Sequence, residues 1–202
     1  MRATVLLDAR ARGHRGDGPA SSFEWAVSAA ASVAVHFTGV KHGVRLILDG
    51  RPSNWSNPHS GEAAGELLDR MAVVGFGEEN ALDAGIASIR RTGGDGVIVA
   101  VLGDIDEGQA NQLAHLGHSG KPGIAILIRT EEWSARSARV ADGPDSPRQR
   151  ILALLRNAGW AVAEAGAGQT VTDVWNAATG LTESIHDSGF DDDARFTHRA
   201  AL

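Results

Sequence analysis

Ala3-Thr4-Val5-Leu6-Leu7-Asp8-Ala9-Arg10-Ala11-Arg12 decides the fold of this chain. Thr4 to Leu7 is a short apolar run, β-branched at Thr4 and Val5, and it stops abruptly on a carboxylate, Asp8. A glycine- and charge-rich loop from Gly13 to Pro19 follows, then a long helical pattern. A short strand feeding a helix through a polar loop is the opening βα unit of a parallel α/β sheet. In such sheets, ligands bind beyond the carboxyl ends of the strands, where the strand order reverses. Asp8 stands at that place.

The remaining chain repeats the alternation. Ser21-Ser22-Phe23-Glu24 matches a capping box, with Ser21 as N-cap and Glu24 at N3 of a helix that carries Trp25, Ala26, Val33 and Phe37 and ends at Gly39 or Gly43. Val44 to Leu48 is a second strand and also stops on a carboxylate, Asp49. Residues 51–61 read as a turn-rich loop containing Trp55. Two helices, Glu62 to Val74 and Glu78 to Arg91, are separated by Gly75-Phe76-Gly77. Val97 to Leu102 is the most apolar strand and belongs at the centre of a sheet. It ends Gly103-Asp104-Ile105-Asp106. A helix (Gln109 to Leu116), a strand (Gly123 to Ile128), a polar excursion (130–147), a helix (Arg148 to Ala158), a strand (Trp160 to Ala163) and a helix (Val171 to Leu181) complete the pattern. This order predicts an α/β domain over residues 1–181, with a doubly wound, mostly parallel sheet flanked by helices, Rossmann-like in class. Residues 182–202 hold Asp187 and Asp191 to Asp193 with few large apolar side chains, and are expected to form a disordered acidic tail.

The bulk numbers fit one such domain: 202 residues, 43% hydrophobic. A net charge of -6 disfavours nonspecific nucleic-acid binding. The absence of cysteine excludes disulfides and thiolate metal sites. No apolar run is long enough to span a bilayer, so no membrane insertion by this chain is expected. A strand that begins at residue 3 leaves no lead-in, as in a piece of a longer protein.

In the common doubly wound order, strands one and four are neighbours at the switch point. That order brings Asp8 and Asp104 side by side, with Asp49 and Asp106 near. Converging carboxylates suit a hard cation such as magnesium; singly, each aspartate can equally end a strand or cap a helix. Asp104-Ile105-Asp106 is similar to the Asp-x-Asp of haloacid-dehalogenase-like phosphotransferases, but it comes late in the chain and is followed by Glu107-Gly108. His115 and His118 lack a third ligand, Gly93-Gly94-Asp95-Gly96 opens no helix and so is no phosphate loop, and Ser21 and Ser22 have no nucleophile-elbow context. Of the five tryptophans, Trp55 is the candidate contact residue.

The strand-one Asp, the long first helix and a strand ending Leu102-Gly103-Asp104 resemble a von Willebrand factor A domain. More narrowly, Ser22-Phe23-Glu24-Trp25-Ala26-Val27-Ser28-Ala29-Ala30-Ala31-Ser32-Val33-Ala34, with the strand and loop before it, is similar to the C-terminal part of actinobacterial domain-of-unknown-function 58 proteins. The resemblance covers roughly residues 3–180. It implies a metal-ion-dependent adhesion site built from Asp8, two serines, a threonine and Asp104. Here Arg10 and Arg12 replace the serines, Asn80 is the nearest candidate for the threonine, and Gly103 stands where threonine commonly precedes the second aspartate. A guanidinium cannot ligate a cation, so magnesium binding at Asp8 and Asp104 is expected to be weak or absent. Arg10 or Arg12 can instead fold over the aspartates as a fixed positive charge.

The expectation is therefore a non-catalytic protein–protein interaction domain with a degenerate metal site. Its partner-binding residues are drawn from Asp8, Arg10, Arg12, Asn80, Asp104, Asp106 and Trp55. The resemblance implies a membrane-associated parent protein, a MoxR-type AAA+ ATPase as partner, and a place in the cytoplasm at the inner membrane face. The competing expectation is a magnesium-dependent hydrolase or phosphotransferase using Asp8, Asp104 and Asp106.

Overall fold

Ala3, Val5 and Leu7 of strand β1 (Arg2–Leu7) point to one side, and Leu6 points to the other. All are buried, because β1 has a neighbour along each edge and helices over both faces. The computed structural model describes residues 1–92, 96–117, 123–134, 143 and 145–187, the last seven as backbone only. Its sheet has the order β3-β2-β1-β4-β5-β6, where β2 is Gly43–Leu48, β3 Arg51–Pro52, β4 Val97–Leu102, β5 Gly123–Ile128 and β6 Trp160–Ala165. Every pairing is parallel except β2 with β3.

Helices α1 (Ser22–Gly39), α2 (Ala63–Ala72) and α6 (Val171–Asp187) cover one face. Helices α3 (Ala81–Thr92), α4 (Glu107–Gly117) and α5 (Pro147–Asn157) cover the other. This is a Rossmann-like, doubly wound α/β fold. Two buried apolar layers sandwich the sheet, and this burial of both strand faces explains the near-continuous apolar runs of β4 and β5. The chain winds from β1 out to β2 and β3, then returns to β4 on the other side of β1. The crevice where the order reverses therefore opens at the carboxyl ends of β1 and β4.

Ser21 caps α1 as its sequence predicts, its Oγ accepting from the Glu24 N–H at 3.2 Å. Other boundaries differ. Arg51–Pro52, read as loop, pairs antiparallel with Leu48 and Ile47 as a short sheet edge, a place where proline's missing N–H is tolerated. Helix α3 starts at Ala81 and not Glu78. The preceding residues are held elsewhere, with the Gly77 N–H donating to the Ala9 carbonyl and the Glu78 N–H to Asp49 Oδ1. Helix α6 runs to Asp187, past the expected start of the tail at 182. No glycine or proline interrupts Thr182 to Asp187, and an established helix propagates residue by residue. Residues 188–202, His118, residues 93–95 of the Gly93–Gly96 connector, and residues 135–142 and 144 of the polar excursion lie outside the described residues.

Candidate functional site

The Asp8 N–H donates to the Val101 carbonyl and so extends the β1–β4 ladder by one residue, which carries the side chain of Asp8 into the crevice. There it is fully buried. A buried carboxylate needs donors, and Arg10, two residues on, supplies them. Arg10 Nε donates to Asp8 Oδ1 at 2.8 Å and Nη2 to Oδ2 at 2.7 Å, a two-point fork; the Arg10 backbone N–H reaches Oδ1 at 3.2 Å. The Gly103 N–H adds a longer contact to Oδ2 at 3.3 Å.

Arg10 is itself only 1% exposed. Its Nη2 also donates to the Asp104 main-chain carbonyl at 2.9 Å, and Nη1 to Gln109 Oε1 at 3.2 Å. Burial alone would make this guanidinium easier to deprotonate. The hydrogen bonds and charge of Asp8, with Asp83 and Glu79 further out, outweigh burial and hold its pKa above the ordinary arginine value. Arg10 is thus a fixed positive charge held against Asp8.

Gln109 belongs to a reciprocal cap on α4. Its N–H donates to Asp106 Oδ1 at 2.8 Å, and its Oε1 accepts from the Asp106 N–H at 3.2 Å. Its Nε2 donates to Asp83 Oδ2 on α3. Asp106 is therefore a helix cap. The Asp104 side chain turns outward and faces Arg15 Nη2 at 3.3 Å, both about half-exposed, and exposed Arg12 pairs with Glu79 at 2.8 Å. Arg15 is steadied by two carbonyls, its Nη1 donating to Arg12 O and His14 O. Asn80 is exposed and immediately precedes α3, its carbonyl accepting from the Ala84 N–H.

His14 lies beneath this rim, 5% exposed. Its Nε2 sits 2.8 Å from the Asp8 carbonyl, which can only accept, so Nε2 carries the proton. Nδ1 then accepts from Ser22 Oγ at 3.2 Å, and Ser22 Oγ accepts from the Arg15 N–H at 2.9 Å. Phe23 meets the His14 ring edge-on at 5.3 Å, and Phe76 lies 4.4 Å from Phe23 while remaining 56% exposed.

No protein-family model matches the chain, and no curated protein matches it.

Of the residues singled out from sequence, Asp8, Arg10, Asp104, Asp106 and Arg12 gather at one end of the sheet, and Asn80 lies beside them just before α3. Trp55 does not join them. It stacks under Arg2 and Arg45, with the guanidinium carbons 4.9 and 4.7 Å from its ring centroid. Arg2 is at the opposite end of β1 from Asp8, roughly 20 Å away at about 3.3 Å per residue. As they stand, the strand-end residues do not fit a divalent cation. Both Asp8 oxygens face a guanidinium, Asp104 turns to Arg15, and among the described residues no group of three or more metal-ligating side chains converges.

Sequence reasoning does not single out His14, Gln109, Arg15 and Phe76 as site residues. Asp106-Glu107-Gly108-Gln109 does carry the Asp-x-x-Gln spacing of a capping box, a signal that points to Gln109. Nothing local marks His14, because its partners come from β1 and α1.

The burial of His14 lowers its pKa, more than the nearby Asp8 carbonyl and carboxylate raise it. A lowered folded pKa means that the unfolded chain binds the proton first. Stability supplied by the neutral ring is complete above the unfolded value of about 6.5 and is lost as pH falls through the lower folded value. Thermal melts should show wild-type stability dropping in that window more steeply than that of His14→Gln. Parallel curves would contradict this.

Proposed function

We propose that this chain is a von Willebrand factor A-like domain of the domain-of-unknown-function 58 type, and that it binds a protein partner without catalysis and without a metal. One observation carries the reading: Arg10 makes a buried two-point pair with Asp8, at the position where the resemblance calls for a cation. A guanidinium there supplies the positive charge permanently. Arg10 is enclosed, so it organises the site and leaves recognition to the groups above it. Those groups are exposed Phe76, Arg12 and Arg15, with Asp104 and Glu79. Exposed ion pairs such as these contribute only about 0–1 kcal/mol, so a partner's carboxylate can exchange into them.

The resemblance names the partner, a MoxR-type AAA+ ATPase, and the place, the cytoplasmic face of a membrane. The enzyme reading is the weaker one: Asp8 is neutralised by Arg10 and Asp106 caps a helix, so neither is placed as a free acid, base or nucleophile.

The test is capture of the MoxR-type ATPase of the same organism in chelator-containing buffer. Phe76→Ala combined with Arg12→Ser and Arg15→Ser should weaken binding about tenfold or more, since an aromatic or arginine anchor in an interface is commonly worth over about 1 kcal/mol. Unchanged affinity, or binding abolished by the chelator, would overturn the proposal.

A further inference from the structure

We propose that His14 is a proton-operated latch: its neutral ring pins the second half of the β1–α1 loop to the first turn of α1, and a second proton on the ring releases it. The loop, residues 8–21, carries Arg12 and Arg15 and supports Phe76. Its first half is held by the buried Arg10 network and by the Ala9 and Gly13 carbonyls, which accept from the Gly77 and Asp104 N–H groups; its second half is tied to α1 by the Ser22 N–H to Arg15 carbonyl bond and by this ring, the tie that titrates. Nε2–H reaches back to Asp8 at the end of β1, and Nδ1 reaches forward to Ser22, the first residue of α1. Residues 15–20 are exposed.

A proton on Nδ1 breaks this arrangement. Ser22 Oγ already accepts from the Arg15 N–H, so it would have to accept from Nδ1–H as well, and its own hydroxyl proton would lose its acceptor. The new cation would also lie at the N-terminus of an 18-residue helix, where the backbone dipole opposes positive charge. The charged groups around it offer only partial relief: Asp8 and Asp104 favour the charged ring, but each already faces a guanidinium. Asp8, from β1, is paired with Arg10; Asp104, from the end of β4, is paired with Arg15; Arg10 itself repels the ring. In the first turn of α1, Glu24 is exposed, and beyond Phe76 Glu79 is paired with Arg12. Two aromatic rings, Phe23 and Phe76, complete the enclosure, so the charged imidazole gains water only by leaving it.

The experiment is amide hydrogen exchange on the whole chain from about pH 7.5 to about pH 5, corrected for intrinsic exchange, with the His14 ring followed by NMR in the same samples. The latch predicts an Nε2–H tautomer at neutral pH. It also predicts that protection of residues 14–21 falls up to tenfold per pH unit once the unfolded-state pKa is passed, while residues 9–13, α3 and β4 are unaffected; in His14→Gln that dependence is absent. Loop protection that stays flat while the ring titrates would overturn it, as would a ring that stays neutral until the whole domain unfolds. No partner enters this test, so its outcome is separate from that of the capture experiment.

Discussion

Arg10→Ala is expected to lower folding stability by about 3–5 kcal/mol, the range found when one member of a buried ion pair is removed. The effect comes mainly from what is left behind. Asp8 would remain fully buried with only the Gly103 N–H and the residue 10 backbone N–H facing it, the Asp104 carbonyl would lose its Arg10 donor, and Gln109 Oε1 would keep only the Asp106 N–H. Urea denaturation of the single and double variants separates this cause from lost packing. If the uncompensated charge dominates, Asp8→Asn added to Arg10→Ala recovers a large part of the loss, because a neutral amide costs less to bury. A single variant within 1 kcal/mol of wild type, or a double variant no better than the single, would show that the pair is not the unit described.

Gly103→Ala should destabilise by about 2–3 kcal/mol, the cost of forcing extra volume into a packed site. A Cβ at 103 would press into the Gly13 carbonyl oxygen, and that same oxygen accepts from the Asp104 N–H at 2.8 Å. The neighbour is backbone on a short 3-10 turn (Ala11–Gly13), so it cannot swing aside as a side-chain tip would. For a chain of this size the melting temperature should fall by roughly 4–12 °C. An unchanged melting temperature would mean that the crossing of the two loops is looser than the geometry indicates.

The same residue shows where sequence reading reaches and where it stops. Gly103 reads in the sequence as a missing threonine. In the fold it is a contact between two loops that are 90 positions apart in the chain, and no local pattern encodes that. The sheet was legible because apolar runs that end on aspartates are a local signal with a physical cause. The convergence of Asp8 with Asp104 followed from the strand order. The idea that an arginine folds over Asp8 was legible in kind, since a guanidinium two residues after a buried carboxylate has few other partners. Which arginine does so was not: Arg10 and Arg12 differ in the direction that the 3-10 turn gives them, and only Arg10 points inward. That Trp55 lies at the other end of the sheet from this cluster follows from the topology, which nothing in its turn-rich loop encodes.

On the proposed reading, buried Arg10 holds the position of a cation. The most direct test is an isothermal titration of the chain with magnesium and with manganese, beside Asp104→Ala. The claim predicts no saturable heat at millimolar metal for wild type, and no difference between the two proteins. Saturable binding by wild type that disappears in Asp104→Ala would contradict it and return the site to metal-dependent adhesion or catalysis.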